Sequence, residues 1–172
     1  MATRGVAAAG DQQILLNGAY HEAMQRAGHL LSTRPRTEHE MRARLKAAGF
    51  DDDVVGRTVE RLMDLKLIDD AGFALQWIEE RARLKGRAPE ALVAELAAKG
   101  IERELAEAAL AAAGIDEEAQ AKAMAARLAN RVAHKPLAEQ GLALMGMLLS
   151  RGFSEETAEA GARSALPPEG WD

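Results

Sequence analysis

The chain of 172 residues has no cysteine, is 48% hydrophobic but only 3% aromatic, and carries a formal net charge of −5. That composition excludes a disulfide scaffold, a Cys-based zinc or iron–sulfur centre and a globally basic nucleic-acid binder; its wealth of Ala, Leu, Glu and Arg predicts an all-α fold. No run approaches the roughly eighteen apolar residues of a membrane span and MATRGVAAAG lacks the apolar core of a secretion signal, so a cytoplasmic protein without a membrane contact is expected, with residues 1–12 as a disordered arm.

Helical periodicity and capping signals predict nine helices, at about 14–32, 38–48, 52–66, 70–85, 89–98, 102–113, 117–133, 137–150 and 155–165. Thr37 with Glu40 makes a T-x-x-E capping box for the second. Asp51 is a natural N-cap for the third. In the stretch LKLIDDAGFALQWIEERARLKGR, Leu65 to Arg87, Asp69 is the expected N-cap of the fourth helix, Asp70 suits the positive end of its dipole, and Ile68 is placed to staple against Phe73. Ala74, Trp77, Ile78 and Ala82 then recur at helical spacing, so Phe73, Trp77 and Ile78 are expected in the core. Pro89 falls at the first position of the fifth helix, Ser154 caps the ninth, and Pro167-Pro168 ends it.

The pattern repeats. LKAAGF (Leu45 to Phe50), LAAKGI (Leu96 to Ile101) and LLSRGF (Leu148 to Phe153) place Gly49, Gly100 and Gly152 about fifty residues apart, a period suited to helical repeat units. Four residues before each leucine stand Met41, Leu92 and Leu144; ten after each glycine stand Val59, Leu110 and Ala162. A glycine followed by an apolar residue is what a helix C-terminus needs, the glycine turning left-handed and the next side chain folding back on the last turn. Gly114-Ile115-Asp116 repeats this stop and start. The expected architecture is an elongated array of three tandem three-helix repeats of helix-turn-helix type, over residues 13–67, 68–115 and 116–166, with a tail at 167–172 in which Trp171 has no assigned role.

RPRTEHEMRARLKAAGF (Arg34 to Phe50), LIDDAGFA (Leu67 to Ala74) and LSRGF (Leu149 to Phe153) resemble the segments R-x-x-T/S-x-x-E-L-x-x-x-L-x-x-x-G-F/Y, G/L-L/I-D-D-x-x-F-A and L-x-x-R-G-F of the RecX family of recombination regulators. The resemblance spans roughly residues 25–165 and implies three tandem three-helix repeats. It also implies binding to the groove of the RecA filament on single-stranded DNA, with restraint of its strand-exchange, ATPase and coprotease activities. His29 stands where many members carry an aromatic residue such as Tyr, and the third repeat, with Ala125, Gly146, Gly161 and Ala162, is weakly apolar.

The charges weigh against sequence-specific reading of duplex DNA, because the candidate recognition helices open on DDDVVGR, ERELAEAA and SEETAEAG, whose carboxylates repel phosphates. Positive charge gathers instead in two groups, Arg26, Arg34, Arg36, Arg42, Arg44 and Lys46, and Arg81, Arg83, Lys85 and Arg87. Arg34-Pro35-Arg36 and Lys85-Gly86-Arg87 hold equivalent places before the second helix of their repeats, so stacked repeats would display a basic stripe. Its candidate contacts are filament phosphates or acidic recombinase surface; the structural alternative is pairing with Glu38, Glu40, Glu79 and Glu80. Asp69 and Asp70, neighbours at a helix start, read as capping residues, and Asp51 to Asp53 lack the spacing of a calcium loop. His21, His29, His39 and His134 form no metal-binding pattern, and no phosphate-binding glycine loop or nucleophile elbow occurs. The expectation is a monomeric regulator without enzymatic activity, metal or cofactor; the alternative is a helical DNA-binding module acting without a recombinase.

Overall fold

The computed structural model describes the backbone of residues 3–171 and the side chains of residues 16–169. The expectations for the arm at 1–12 and for Trp171 lie outside the residues whose side chains are described. Among the described residues nine α-helices follow in order: α1 (Thr3–Thr33), α2 (Glu38–Ala47), α3 (Asp52–Asp64), α4 (Asp70–Lys85), α5 (Pro89–Ala97), α6 (Arg103–Ala113), α7 (Glu117–Val132), α8 (Leu137–Leu149) and α9 (Glu155–Ala165). A 3₁₀ turn covers Pro168–Trp171, and there is no strand among the described residues. The chain is all-α, and it divides into two compact units, Met1–Phe73 and Ala74–Asp172.

In the first unit α1, α2 and α3 pack on one another. Ala23 and Ala27 of α1 let it approach Met41 and Leu45 of α2 and Val55, Val59 and Leu62 of α3, all fully or almost fully buried. Each such aliphatic side chain contributes on the order of 1.5–3 kcal/mol by leaving water. The α2 exit is a Schellman turn: Gly49 has φ +90°, its N–H donates to the Lys46 carbonyl at 2.9 Å, and the Phe50 N–H reaches the Leu45 carbonyl at 3.3 Å. The same six-to-one bond closes α5, from the Ile101 N–H to the Leu96 carbonyl at 3.0 Å, beside Gly100 at φ +79°.

Helix α3 ends two residues before the expected position because Lys66 takes φ +56° and fills the place a glycine usually holds, with the Lys66 N–H on the Met63 carbonyl and the Leu67 N–H on the Leu62 carbonyl, both at 2.9 Å. A Cβ in that region costs roughly 1–2 kcal/mol. Lys66→Gly is therefore expected to stabilise the chain by about 1 kcal/mol, after allowance for glycine's greater unfolded-state entropy; a urea midpoint that falls in the variant would contradict the strain argument.

Capping follows the sequence at most helix starts. Thr37 accepts from the Glu40 N–H at 3.1 Å, Asp69 from the Gly72 N–H at 3.0 Å and Ser154 from the Thr157 N–H at 3.2 Å. Pro89 opens α5 at its first position. Asp51 occupies the N-cap of α3 but makes no side-chain cap bond; Asp52 and Asp53 in the first turn supply the negative charge there.

Asp70 does more than face its own helix dipole. Its Oδ1 accepts the Glu38 N–H at 2.8 Å, so the acid pair serves two helix starts, Asp69 that of α4 and Asp70 that of α2. Burial, aided by the charges of Glu38, Asp69 and Glu40 and opposed by the Glu38 N–H, pushes the Asp70 carboxyl above its ordinary range. A carboxyl raised in the folded state binds its proton more tightly there than when unfolded, so its contribution to stability grows as pH falls through the window just above the ordinary value and shrinks as pH rises through it. Asp70→Ala should cost about 1–2 kcal/mol at neutral pH, by stripping the Glu38 N–H of its acceptor. Asp70→Asn, which keeps that acceptor, should cost less and should remove this component of the pH dependence. Denaturation of both variants at neutral and mildly acidic pH checks it, and equal losses for Ala and Asn would sink it.

In the second unit α5 packs on α6, and α7, α8 and α9 pack together. Leu144 and Leu148 of α8, Phe153, and Ala121, Ala125, Leu128 and Val132 of α7 make its larger core, against which the small residues Ala158 and Ala162 of α9 are buried. The weak apolarity of this segment reflects close approach. A Cβ on Gly161 would stand 3.2 Å from the Ala121 backbone, so α9 and α7 pack nearly backbone to backbone. Leu166, in extended conformation before Pro167, ends α9 as expected.

Candidate partner and nucleic-acid interface

The five candidate cations on α2 and the turn before it separate into locked side chains and a free one. Arg34 donates to both oxygens of Glu40, at 2.7 and 3.2 Å, and to the Pro35 carbonyl. Arg42 meets Glu38 at 2.7 Å one turn away, and Lys46 meets Asp52 at 2.7 Å. Arg36 has its Nε on the Leu30 carbonyl at 3.1 Å and Nη2 on Thr33 Oγ1 at 3.3 Å, which folds it back over the end of α1. Burial, then the charges of Arg34 and Arg44, hold the Arg36 guanidinium below its ordinary value. Arg44 is exposed and its side chain makes no ion pair among the described residues.

In the second unit Glu95 of α5 organises the cations of α4. It accepts from Trp77 Nε1 at 3.1 Å and from Arg87 Nε at 2.8 Å, and it forms an ion pair with Arg81, whose Nε lies 3.3 Å away. Arg81 lies 3.5 Å and Lys99 4.4 Å from the Trp77 ring centroid. Trp77 is therefore half-buried, not in the core as expected: its N–H needs a polar partner and its face draws cations. Phe73 is also half-buried, while Ile78 is fully buried. Arg83 and Lys85 are exposed and their side chains make no ion pair among the described residues; the Arg83 carbonyl accepts from Arg127 at 3.2 Å.

Pairing with Glu38, Glu40, Glu79 and Glu80 is the structural alternative to binding, and two of the four acids take it up. Glu38 and Glu40 pair with Arg42 and Arg34; among the described residues Glu79 and Glu80 form no ion pair with α4's arginines and line an open groove of about 870 Å³ with Gln76, Arg83, Met124 and Arg127. Glu95, eighteen residues along from Trp77, is the partner that sequence inspection missed. Glu95→Ala removes the acceptor of two hydrogen bonds and the partner of two arginines. The carboxylate and Arg81 are about a fifth exposed, at 20% and 22%, so water recovers part of the loss. The expected cost is roughly 1–2 kcal/mol, with Glu95→Gln costing less; thermal melts of the two variants that coincide with the parent's would contradict it.

Asp51, Asp52 and Asp53 at the start of α3 are exposed, so that helix presents carboxylates first. Among the described residues no group of three or more His, Cys, Asp or Glu side chains is placed to hold a metal ion. No helix of the described residues is long and apolar enough to cross a membrane.

Known proteins share this arrangement of helices. Residues 23–62 match the family model described as RecX, first three-helix domain, and residues 69–110 the model described as RecX, second three-helix domain. The chain is 36% identical over 133 residues to the regulatory protein RecX of Mycobacterium avium (strain 104), a match covering 75% of this chain and 76% of that protein. It is 42% identical over 76 residues to the regulatory protein RecX of Mycobacterium sp. (strain KMS), a match confined to 44% of this chain and 42% of that protein. The crystal structure of RecX from Lactobacillus salivarius is similar in fold, with a TM-score of 0.76 at 24% identity, covering 87% of this chain and 97% of that one.

Proposed function

The chain belongs to the RecX family of regulatory proteins, and we propose that it binds a RecA-type recombinase filament on single-stranded DNA and inhibits or modulates its recombinase, ATPase and coprotease activities. It acts by occupancy, as a monomer and without turnover. The observation that carries this reading is the division of its cations. Arg34, Arg42, Lys46, Arg81 and Arg87 are held by carboxylates, whereas Arg44, Arg83 and Lys85 are exposed and meet no carboxylate among the described residues. Free surface cations lose only counterions on meeting a polyanion.

Three tandem three-helix repeats, the third formed by α7, α8 and α9, would let one chain touch consecutive filament subunits, and several weak contacts joined in one chain add up to useful avidity. The carboxylates at the start of α3 disfavour the alternative of a helix-turn-helix module reading bare duplex. The test is to titrate the protein into recombinase assembled on single-stranded DNA. ATP hydrolysis and strand exchange should both fall; rates that stay unaltered over a wide range of protein concentration would overturn the proposal.

A further inference from the structure

The groove between α4 and α7 lies wholly within the second unit. Side chains of α7 tie its two walls together: Gln120 Nε2 donates to the Ala82 carbonyl at 3.2 Å and to the Arg87 carbonyl at 2.8 Å, and Arg127 Nη1 donates to the Arg83 carbonyl at 3.2 Å. Ala82, Ala123 and Met124 give it apolar surface. Arg83 and Arg127 are the last lining residues of their helices and meet at one end, while Glu79, Glu80 and Asp116 precede them and supply carboxylates. Asp116 spends an oxygen on the Ala119 N–H, the cap of α7, at 2.7 Å. Glu79 and Glu80 are exposed and form no ion pair among the described residues, although Glu79 stands four residues before Arg83, the order and spacing at which exposed helical pairs close. Elsewhere such pairs do close. Glu38 with Arg42, Glu118 with Lys122 and Glu159 with Arg163 meet at 2.7, 2.6 and 2.8 Å.

Unpaired carboxylates beside apolar walls suit a side chain with an apolar stem and a cationic head, the stem lying on Ala82, Ala123 and Met124 and the head against Glu79 and Glu80. A nucleic-acid strand is the wrong occupant, because its phosphates are repelled there. We infer that this groove docks a lysine- or arginine-bearing segment of a recombinase subunit, so that α4 meets protein with its middle and nucleic acid with its basic end. Charge complementarity selects the occupant: in a filament of protein and DNA, only the protein offers cations. Glu79 and Glu80 give up no existing pair on meeting one, whereas Glu95 would have to release Arg81 and Arg87. The inference rests on the proposed binding to the filament and adds a protein-facing contact to the cations of the candidate interface.

The test compares two titrations of the full-length chain at low salt, one with recombinase filaments assembled on single-stranded DNA and one with labelled oligothymidylate alone, using variants whose melting curves match the parent's. Glu79→Lys combined with Glu80→Lys should weaken filament binding about ten-fold. The same variant should bind the bare strand as well as the parent or better, because two groups that repel phosphates have become cations. Ala123→Trp, which fills the groove without changing a charge, should weaken filament binding about five-fold. Glu60→Lys combined with Asp64→Lys, an equal charge change at two exposed residues of α3, should alter filament binding less than about two-fold. The inference is overturned if the Glu79 and Glu80 variant or Ala123→Trp binds filaments like the parent, if the α3 variant loses as much, or if filament and bare-strand binding fall together. A parent chain that does not bind the filament overturns the filament reading as well, so the two failures are distinguishable.

Discussion

Gly152→Ala should destabilise the chain by roughly 3–5 kcal/mol, while Gly49→Ala, at the equivalent turn of the first unit, should cost only about 1–2 kcal/mol. Both glycines have φ +90°, so both substitutions strain the backbone equally. They differ in what the new methyl meets. A Cβ on Gly49 finds nothing within 4 Å, whereas one on Gly152 would stand 2.7 Å from the Ala91 Cβ, with the Ala91 Cα at 3.7 Å and the Ala88 Cβ at 3.8 Å behind it. Those atoms belong to a helix start that cannot swing aside as a side-chain tip would. The turn after α8 is also bonded there, through the Ala88 N–H to the Arg151 carbonyl. The extra cost at Gly152 is therefore overpacking, which rigid neighbours do not relieve. Urea denaturation of the two variants beside the parent decides it, and equal losses would refute the packing argument.

The triple reversal Arg44→Glu, Arg83→Glu and Lys85→Glu should weaken binding to the recombinase filament by about a hundred-fold or more at low salt, with the difference from the parent shrinking as salt screens the surface. These three side chains are chosen because none is engaged by a carboxylate among the described residues, so the variant should fold with nearly the parent's stability. Reversing Arg34 or Arg87 would also break the pairs with Glu40 and Glu95 and confuse a folding defect with a binding defect. Equilibrium binding to preassembled filaments at two salt concentrations, with a melting curve as control, tests it. Unchanged affinity at low salt would remove these residues from the interface.

Helix boundaries were legible because each stop and start is encoded within a few residues. Gly49, Gly100 and Gly152 all take positive φ, and Thr37, Asp69 and Ser154 all cap. Where the local code was ambiguous, the expectation slipped. Lys66 ends α3 in a conformation that lysine does not advertise, and α1 is Thr3–Thr33 where periodicity suggested a start near 14. The charges were legible as residue types but not as partners. Helical spacing put Trp77 with Ile78, and Glu79 and Glu80 stood only as alternative partners for the cations; the acid in place is Glu95, which α5 carries to the basic face of α4.

Trp77 carries an optical consequence. The chain has two tryptophans, Trp77 and Trp171. The Trp77 indole is tied to Glu95 and overlaid by Arg81 and Lys99, so its excited state senses whichever cations and carboxylate surround it. A polyanion that recruits Arg81 or Arg87 must loosen their hold on Glu95 and alter that electrostatic environment. In a Trp171→Phe background, emission at Trp77 becomes a label-free signal of engagement by α4's basic end, recorded from the unmodified side chain that sits among the groups concerned.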